Sequence, residues 1–119
     1  IERNLALWVA GPARGIADVE PRVVTFTRQM LVDNLARPSV PPRQPDFDAF
    51  SVIDELKCPT LFVTGSLDVP DIRRAAGEMA ERVERARLVE VEGVAHMVNL
   101  EQPGVFRDLV ARHVAATVG

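Results

Sequence analysis

The chain has 119 residues and a formal net charge of −3 at pH 7, with 14 lysine or arginine residues against 17 aspartate or glutamate residues. This balance excludes the strongly basic surface with which proteins bind nucleic acid or anionic membranes. Hydrophobic residues make up 47% of the sequence, in the range of globular proteins, and no apolar run approaches the roughly 20 residues of a spanning helix. We therefore expect a folded chain whose partners are neither nucleic acid nor membrane.

The sequence contains a single cysteine, Cys58, which permits neither an internal disulfide nor a cysteine metal cluster. This fits a reducing compartment, so a cytoplasmic location is the expectation. The first residue is Ile1 rather than methionine, and no basic-then-apolar leader follows it. We expect the chain to be a processed product or a fragment of a larger protein.

Residues 1–45 are predicted to be helical up to a proline-rich loop. Helical spacing of apolar residues predicts a first helix over residues 1–9, which Gly11 and Pro12 end, and Pro21 suits the start of a second helix reaching about residue 35. Four prolines at positions 38, 41, 42 and 45 predict a loop that passes beneath or between larger elements. The apolar stripes are Ile1, Leu5, Trp8 and Val9 in the first helix, and Val23, Phe26, Thr27, Met30, Leu31 and Leu35 in the second.

Residues 46–119 are predicted to form a strand–helix–strand–helix unit. The β-branched and aromatic run 60–64, between Pro59 and Gly65, predicts a strand buried on both faces. A helix from Pro70, a strand over 87–91 and a helix over 102–116 follow. Because a helical crossover joins parallel strands, we predict an α/β fold with two parallel strands and flanking helices. The inward helix residues are Ile72, Ala75, Ala76, Met79, Ala80 and Val83, then Phe106, Leu109, Val110, Val114 and Thr117.

Two titratable residues follow the two predicted strands. Asp68 comes four residues after the first strand, and His96 comes five residues after the second. Because parallel strands end at the same edge of the sheet, we expect these side chains to lie in contact there. A carboxylate that accepts a hydrogen bond from one imidazole nitrogen leaves the other nitrogen free to move a proton. The pair therefore predicts an acid–base site.

Structural roles are the alternative for each residue of this pair. Asp68 could cap the helix that begins near Pro70, since aspartate is among the best N-cap residues. His96 could be a loop histidine held by local hydrogen bonds. Asp71 lies in the same loop as Asp68 and competes with it for the acid role, although its position also suits the first turn of the helix.

Both loops carry a resemblance to a known family. The stretch C-P-T-L-F-V-T-G-S-L-D (58–68) resembles the penultimate strand and acid loop of the α/β-hydrolase superfamily. The stretch V-E-G-V-A-H-M-V-N-L-E-Q-P (91–103) resembles its last strand and histidine loop, in the esterase, enol-lactonase and carbon–carbon hydrolase branch. The resemblance implies that 46–119 is the C-terminal part of the hydrolase core. It also implies that 1–45 takes the place of the cap, or lid, that covers the active site.

This resemblance implies a Ser-His-Asp triad that acts on an ester, lactone or related carbonyl, with no metal or organic cofactor. The chain nevertheless lacks the G-x-S-x-G elbow that carries the nucleophile. Cys58 is no substitute, because it lies at the entrance of a strand, and as a lone cysteine we expect it to be buried. We therefore expect Asp68 and His96 to work with a serine from a missing N-terminal region. The candidate substrate-binding residues are Trp8, Val69 and Met97.

A non-enzymatic role is the alternative to this hydrolase hypothesis. Two parallel strands are too few for independent stability, and their open edges favour pairing with another chain. The chain would then be an interaction module or an inactive fragment. In either case we expect it to dimerise, to exchange elements with a second copy, or to pair with the missing half of the enzyme.

Overall fold

A computed structural model of the protein describes residues 1–118. The first helix, α1 (Glu2–Asn4), continues as a π-helical segment, Leu5–Ala10, and ends at Gly11, whose φ of +78° lies in the left-handed region that favours glycine. A 3₁₀ turn (Ile16–Asp18) leads into α2 (Pro21–Ala36). Both predicted helices are confirmed. Within the described residues, no helix is long and apolar enough to cross a membrane.

Residues 2–10, which comprise α1 and the π-helical segment, are called the first helical segment. A small apolar core joins this segment to the start of α2. Its position explains why the predicted stripe of α2 is only partly right. Val23 and Thr27, in the first two turns, are buried, whereas Phe26, Met30 and Leu35 are exposed. Met30 and Leu35 lie beyond the turns that the π-helical segment covers, and Phe26 lies in these turns but on another side of the helix. The buried members of this core are Leu5, Val9, Ala10, Val19 and Val23.

The proline-rich stretch forms a loop, as predicted, but it does not pass beneath other elements. Residues 38–51 are exposed throughout, and they include the exposed apolar side chains of Val40 and Phe47. A 3₁₀ turn, Ile53–Glu55, ends the loop before the first strand. Four prolines remove the backbone donors that would fix this segment to a neighbouring element.

The centre of the fold is a helical crossover between two parallel strands. Strand β1 (Thr60–Gly65) is followed by α3 (Pro70–Arg82) and by β2 (Ala86–Val91), with Thr60 opposite Ala86 and Gly65 opposite Val91. The predicted α/β fold with two parallel strands and flanking helices is therefore confirmed. The predictions that β1 is buried on both faces and that Cys58 is buried are wrong. Residues 60–63 are half-buried and Cys58 is exposed, because the sheet of residues 1–118 has two strands and β1 is therefore an edge strand.

The C-terminal helix predicted over 102–116 is confirmed as α5 (Pro103–Thr117), and a short helix that the sequence pattern does not predict, α4 (Val98–Glu101), precedes it across a break. The break falls at Gln102, with φ −131° and ψ 63°, because a proline disfavours helical geometry in the residue before it. Phe106 and Leu109 pack on a second core, formed by Val91, Val94 and Val98. The rest of the predicted inward face, Val110, Val114 and Thr117, is exposed.

Candidate active site

The loops that follow β1 and β2 are bonded directly to each other. The Ser66 N–H donates to the Val91 carbonyl at 2.9 Å, and the Leu67 N–H donates to the Val94 carbonyl at 2.9 Å. The Gly93 N–H donates to the Ser66 hydroxyl at 2.8 Å. These bonds continue the pairing of the two strands past their ends and hold the two loops together.

Gly65 allows the two loops to approach this closely. A Cβ atom at this position would lie 2.2 Å from the carbonyl oxygens of both Val94 and Ala95. Gly11 makes a similar approach from the first helical segment, where a Cβ would lie 2.2 Å from the Leu67 carbonyl oxygen and 3.1 Å from the Ala95 Cβ. Both glycines thus bring backbone against the segment that leads into His96.

Asp68, in the loop after β1, and His96, in the loop after β2, are in hydrogen-bond contact. The imidazole Nδ1 of His96 lies 2.8 Å from Oδ2 of Asp68, and Oδ1 of Asp68 accepts the Val69 N–H at 2.7 Å. The Asp68 side chain is only 2% exposed, whereas the His96 side chain is 41% exposed. The buried carboxylate is therefore held on both oxygens, while the imidazole is partly exposed.

Two of the alternatives do not match the geometry: the N-cap role of Asp68 and the acid role of Asp71. The N-cap residue of α3 is Val69, and no side chain caps this helix, so Asp68 is not its N-cap. Asp71 is exposed and pairs with Arg74 at 3.0 Å, away from the imidazole. Within residues 1–118, Asp68 is the carboxylate that bonds to His96.

The three residues predicted to bind substrate have different surroundings. The Trp8 ring lies against the His96 ring, with 4.9 Å between centroids and 53° between planes. Val69 is half-buried and contributes its N–H to the Asp68 carboxylate. Met97 packs against the core of the first helical segment. The structure thus brings Trp8 to the Asp68–His96 pair, places Val69 beside the acid, and places Met97 in packing.

Sequence reasoning missed a buried ion pair beside the site. Nη2 of Arg14 lies 2.5 Å from Oε2 of Glu101, and the two side chains are 14% and 8% exposed. Glu101 stands in the motif that follows the histidine and Arg14 follows the glycine that ends the first helix. Nothing in the spacing of residues 87 positions apart indicates that they meet.

The serines of the described residues have other surroundings. Ser66 accepts the Gly93 N–H, Ser51 donates to the Asp48 carbonyl at 2.7 Å, and Ser39 lies in the exposed loop. In residues 1–118, the only side-chain hydrogen bond of His96 is the one with Asp68. The same part of the chain holds no group of three or more His, Cys, Asp or Glu residues that could ligate a metal ion.

The chain has an α/β-hydrolase-type fold over the part that a solved structure matches. That structure is MenH from S. aureus, with a TM-score of 0.58 and 18% sequence identity, over 61% of this chain and 27% of that chain. The chain therefore spans little more than a quarter of the MenH structure, and at this identity the similarity shows the fold alone. No protein-family model and no curated protein matches the sequence.

Proposed function

We propose that this chain supplies the acid and the histidine of a Ser-His-Asp hydrolase that acts on an ester, a lactone or a related carbonyl compound. His96 is the general base for the attacking serine and then the general acid for the leaving group, and Asp68 orients it. The nucleophile and the oxyanion hole come from residues outside these 119. The proposed partner is thus the part of the enzyme that carries that serine.

One observation carries this proposal: a buried carboxylate bonds to Nδ1 of an imidazole that is itself partly exposed. With Nδ1 engaged by Asp68, the proton sits on Nδ1 and the Nε2 lone pair is free to accept one. The carboxylate also stabilises the imidazolium formed during attack. A general base of this kind accelerates a reaction by about 10² to 10⁴.

The position of Trp8 favours an organic substrate. Its ring lies against the exposed imidazole and it belongs to the helical segment 1–10, which covers one side of the site. An aromatic ring beside the reacting groups offers an apolar wall that excludes water from them. We propose Trp8 and Val69 as substrate contacts. The two-part organisation, with 1–45 as cap and 46–119 as core, belongs to the same proposal.

The test compares this chain with a longer protein that joins it to the segment encoded upstream. The 119-residue chain alone should hydrolyse p-nitrophenyl acetate no faster than buffer, and the longer protein should hydrolyse it. His96→Ala should lower the kcat of the longer protein by about 10² to 10⁴. His113→Ala, in the other histidine of the chain, is the matched control. A His96→Ala enzyme with near-normal kcat would refute the assigned role.

A second function, pairing through the open side of the sheet, is favoured by a specific surface. A groove of about 600 Å³ beside β1 is lined by apolar residues that include Leu61, Val63, Phe106 and Val110. Unpaired strand edges promote association with another chain. An interaction module without activity would form dimers of this chain, measurable by light scattering, and its longer form would show no esterase activity even with His96 intact.

A further inference from the structure

The most buried Arg or Lys ion pair of residues 1–118 lies between the first helical segment and the histidine loop. Arg14 and Glu101 are 14% and 8% exposed, whereas in every other Arg or Lys pair of residues 1–118 both side chains are at least 34% exposed. Burying two charges costs several kcal/mol per ion unless further hydrogen bonds satisfy them. The further hydrogen bonds of Arg14 and Glu101 therefore show which segments this ion pair connects.

The Arg14 guanidinium bonds to two segments of backbone. Its Nε donates to the Ala10 carbonyl at 2.8 Å and its Nη2 donates to the Val9 carbonyl at 3.0 Å, at the end of the helical segment that carries Trp8. Its Nη1 donates to the Gly93 carbonyl at 3.2 Å, three residues before His96. The guanidinium thus satisfies two carbonyls that a helix end leaves free and ties them to the histidine loop.

Glu101 completes the connection from the other side of the loop. Its Oε2 pairs with Arg14, and its Oε1 accepts the Ala95 N–H at 3.0 Å. Ala95 is buried and directly precedes His96, and the helix of Glu101, α4, begins two residues after His96. The carboxylate therefore fixes the peptide that orients the imidazole.

We infer that Arg14 and Glu101 are positioning residues, which hold Trp8 and His96 together over Asp68. This inference rests on the proposed function for its catalytic meaning. The pair touches the backbone on both sides of the Trp8–His96 contact and neither partner is bonded to the imidazole. Through this pair, the first helical segment and His96 move together.

The test uses nuclear Overhauser contacts between the Trp8 and His96 rings, together with amide exchange at Ala95, in the 119-residue chain. Arg14→Lys keeps the positive charge but removes the planar fork that reaches several acceptors at once. We expect it to abolish the ring contacts and to speed exchange at Ala95 at least tenfold. Glu101→Gln keeps an oxygen for the Ala95 N–H and should preserve that protection, whereas Glu101→Leu should lose it.

The matched control is Arg28→Lys, because Arg28 also pairs with a glutamate, Glu2, across two helices but is exposed. It should leave the ring contacts and the Ala95 exchange unchanged. If Arg14→Lys does not fold, the double variant Arg14→Met, Glu101→Met removes both charges at similar volume and should fold without the ring contacts. Ring contacts that persist in either folded variant would overturn the inference.

These readouts separate the inference from the proposed function, since they do not depend on hydrolysis. If the longer protein is active, Arg14→Lys should lower kcat/KM at least tenfold, because the base is displaced from Trp8, a proposed substrate contact. An inactive longer protein in which Arg14→Lys still separates the rings would refute the proposed function alone. An active one in which Arg14→Lys changes nothing would refute the inference alone.

Discussion

The Asp68 carboxylate and the His96 imidazole meet at 2.8 Å although 28 positions separate the two residues in the chain. The register of β1 and β2, with Gly65 opposite Val91, brings both loops to one edge of the sheet. The hydrogen bonds that join Ser66 and Leu67 to the second loop then fix the distance between them. The site is thus a direct product of the parallel crossover.

The close approach at Gly65 predicts a strong response to an added methyl group. In Gly65→Ala, the new Cβ would overlap two backbone carbonyl oxygens that cannot move independently of the histidine loop. We expect a loss of about 1–3 kcal/mol in the free energy of unfolding, the usual range for overpacking. The measurement is urea denaturation followed by circular dichroism.

Gly77→Ala is the matched control for this substitution. Gly77 lies inside α3 and its Cβ would meet nothing within 4 Å. Alanine should raise the stability there by about 0.5–1 kcal/mol, because glycine is the weaker helix former. A Gly65→Ala protein as stable as Gly77→Ala would show that the two loops are farther apart than described.

The different burial of Leu5 and Met79 predicts different losses of stability when each is replaced by alanine. Leu5 is fully buried, so Leu5→Ala should lower the free energy of unfolding by about 2–5 kcal/mol. Met79, which the sequence pattern places on a buried stripe, is only half-buried. Met79→Ala should therefore cost less than Leu5→Ala, and the reverse order in thermal or urea unfolding would contradict the burial of Leu5.

The contact between Trp8 and His96 predicts that the tryptophan emission depends on this histidine. Trp8 is the sole tryptophan and the chain has no tyrosine, so the emission of the protein reports on this residue. Because the indole lies against the imidazole ring, His96→Ala should change the emission maximum or intensity at constant pH. His113→Ala is the control and should leave the spectrum unchanged. An emission spectrum that responds to His113→Ala and not to His96→Ala would contradict the contact.

The exposed pair of Asp54 and Arg82 predicts an acid-side loss of stability. The hydrogen bond from Arg82 lowers the pKa of the Asp54 carboxyl below its usual 3.8. A lowered folded-state pKa contributes stability that is present above the unfolded-state pKa and is lost as the pH falls through the folded-state pKa. The stability difference between the protein and Asp54→Asn should be constant above about pH 5 and shrink below about pH 4. Urea unfolding across this range would show parallel curves if the pair were absent in solution.

The order of elements and the convergence of the site follow from patterns that the sequence displays. The run 60–64 and the apolar period after Pro70 indicate a crossover, and a crossover implies a shared edge for Asp68 and His96. Burial is less predictable, because an apolar stripe marks a face that can be buried without naming what covers it. Phe26 in α2 and Val114 in α5 lie on such stripes and are exposed within the described part of the chain.

The contacts that the sequence does not predict are those between distant segments. Nothing local distinguishes Arg14 from the solvated arginines, because its partner Glu101 comes from a helix at the other end of the chain. The short helix α4 is also not predicted, because four residues are too few to show an apolar period, whereas α5, which begins after the break at Gln102, is. Periodicity thus places elements, whereas pairing and breaks depend on tertiary packing and on single residues.

Nitrogen-15 NMR of the His96 ring in the 119-residue chain tests the arrangement on which a catalytic role depends. If the buried carboxylate holds the ring through Nδ1, the neutral imidazole carries its proton on Nδ1 and leaves Nε2 unprotonated, and Asp68→Ala removes this preference. A neutral ring protonated mainly on Nε2, or a tautomer ratio that Asp68→Ala leaves unchanged, would contradict the account.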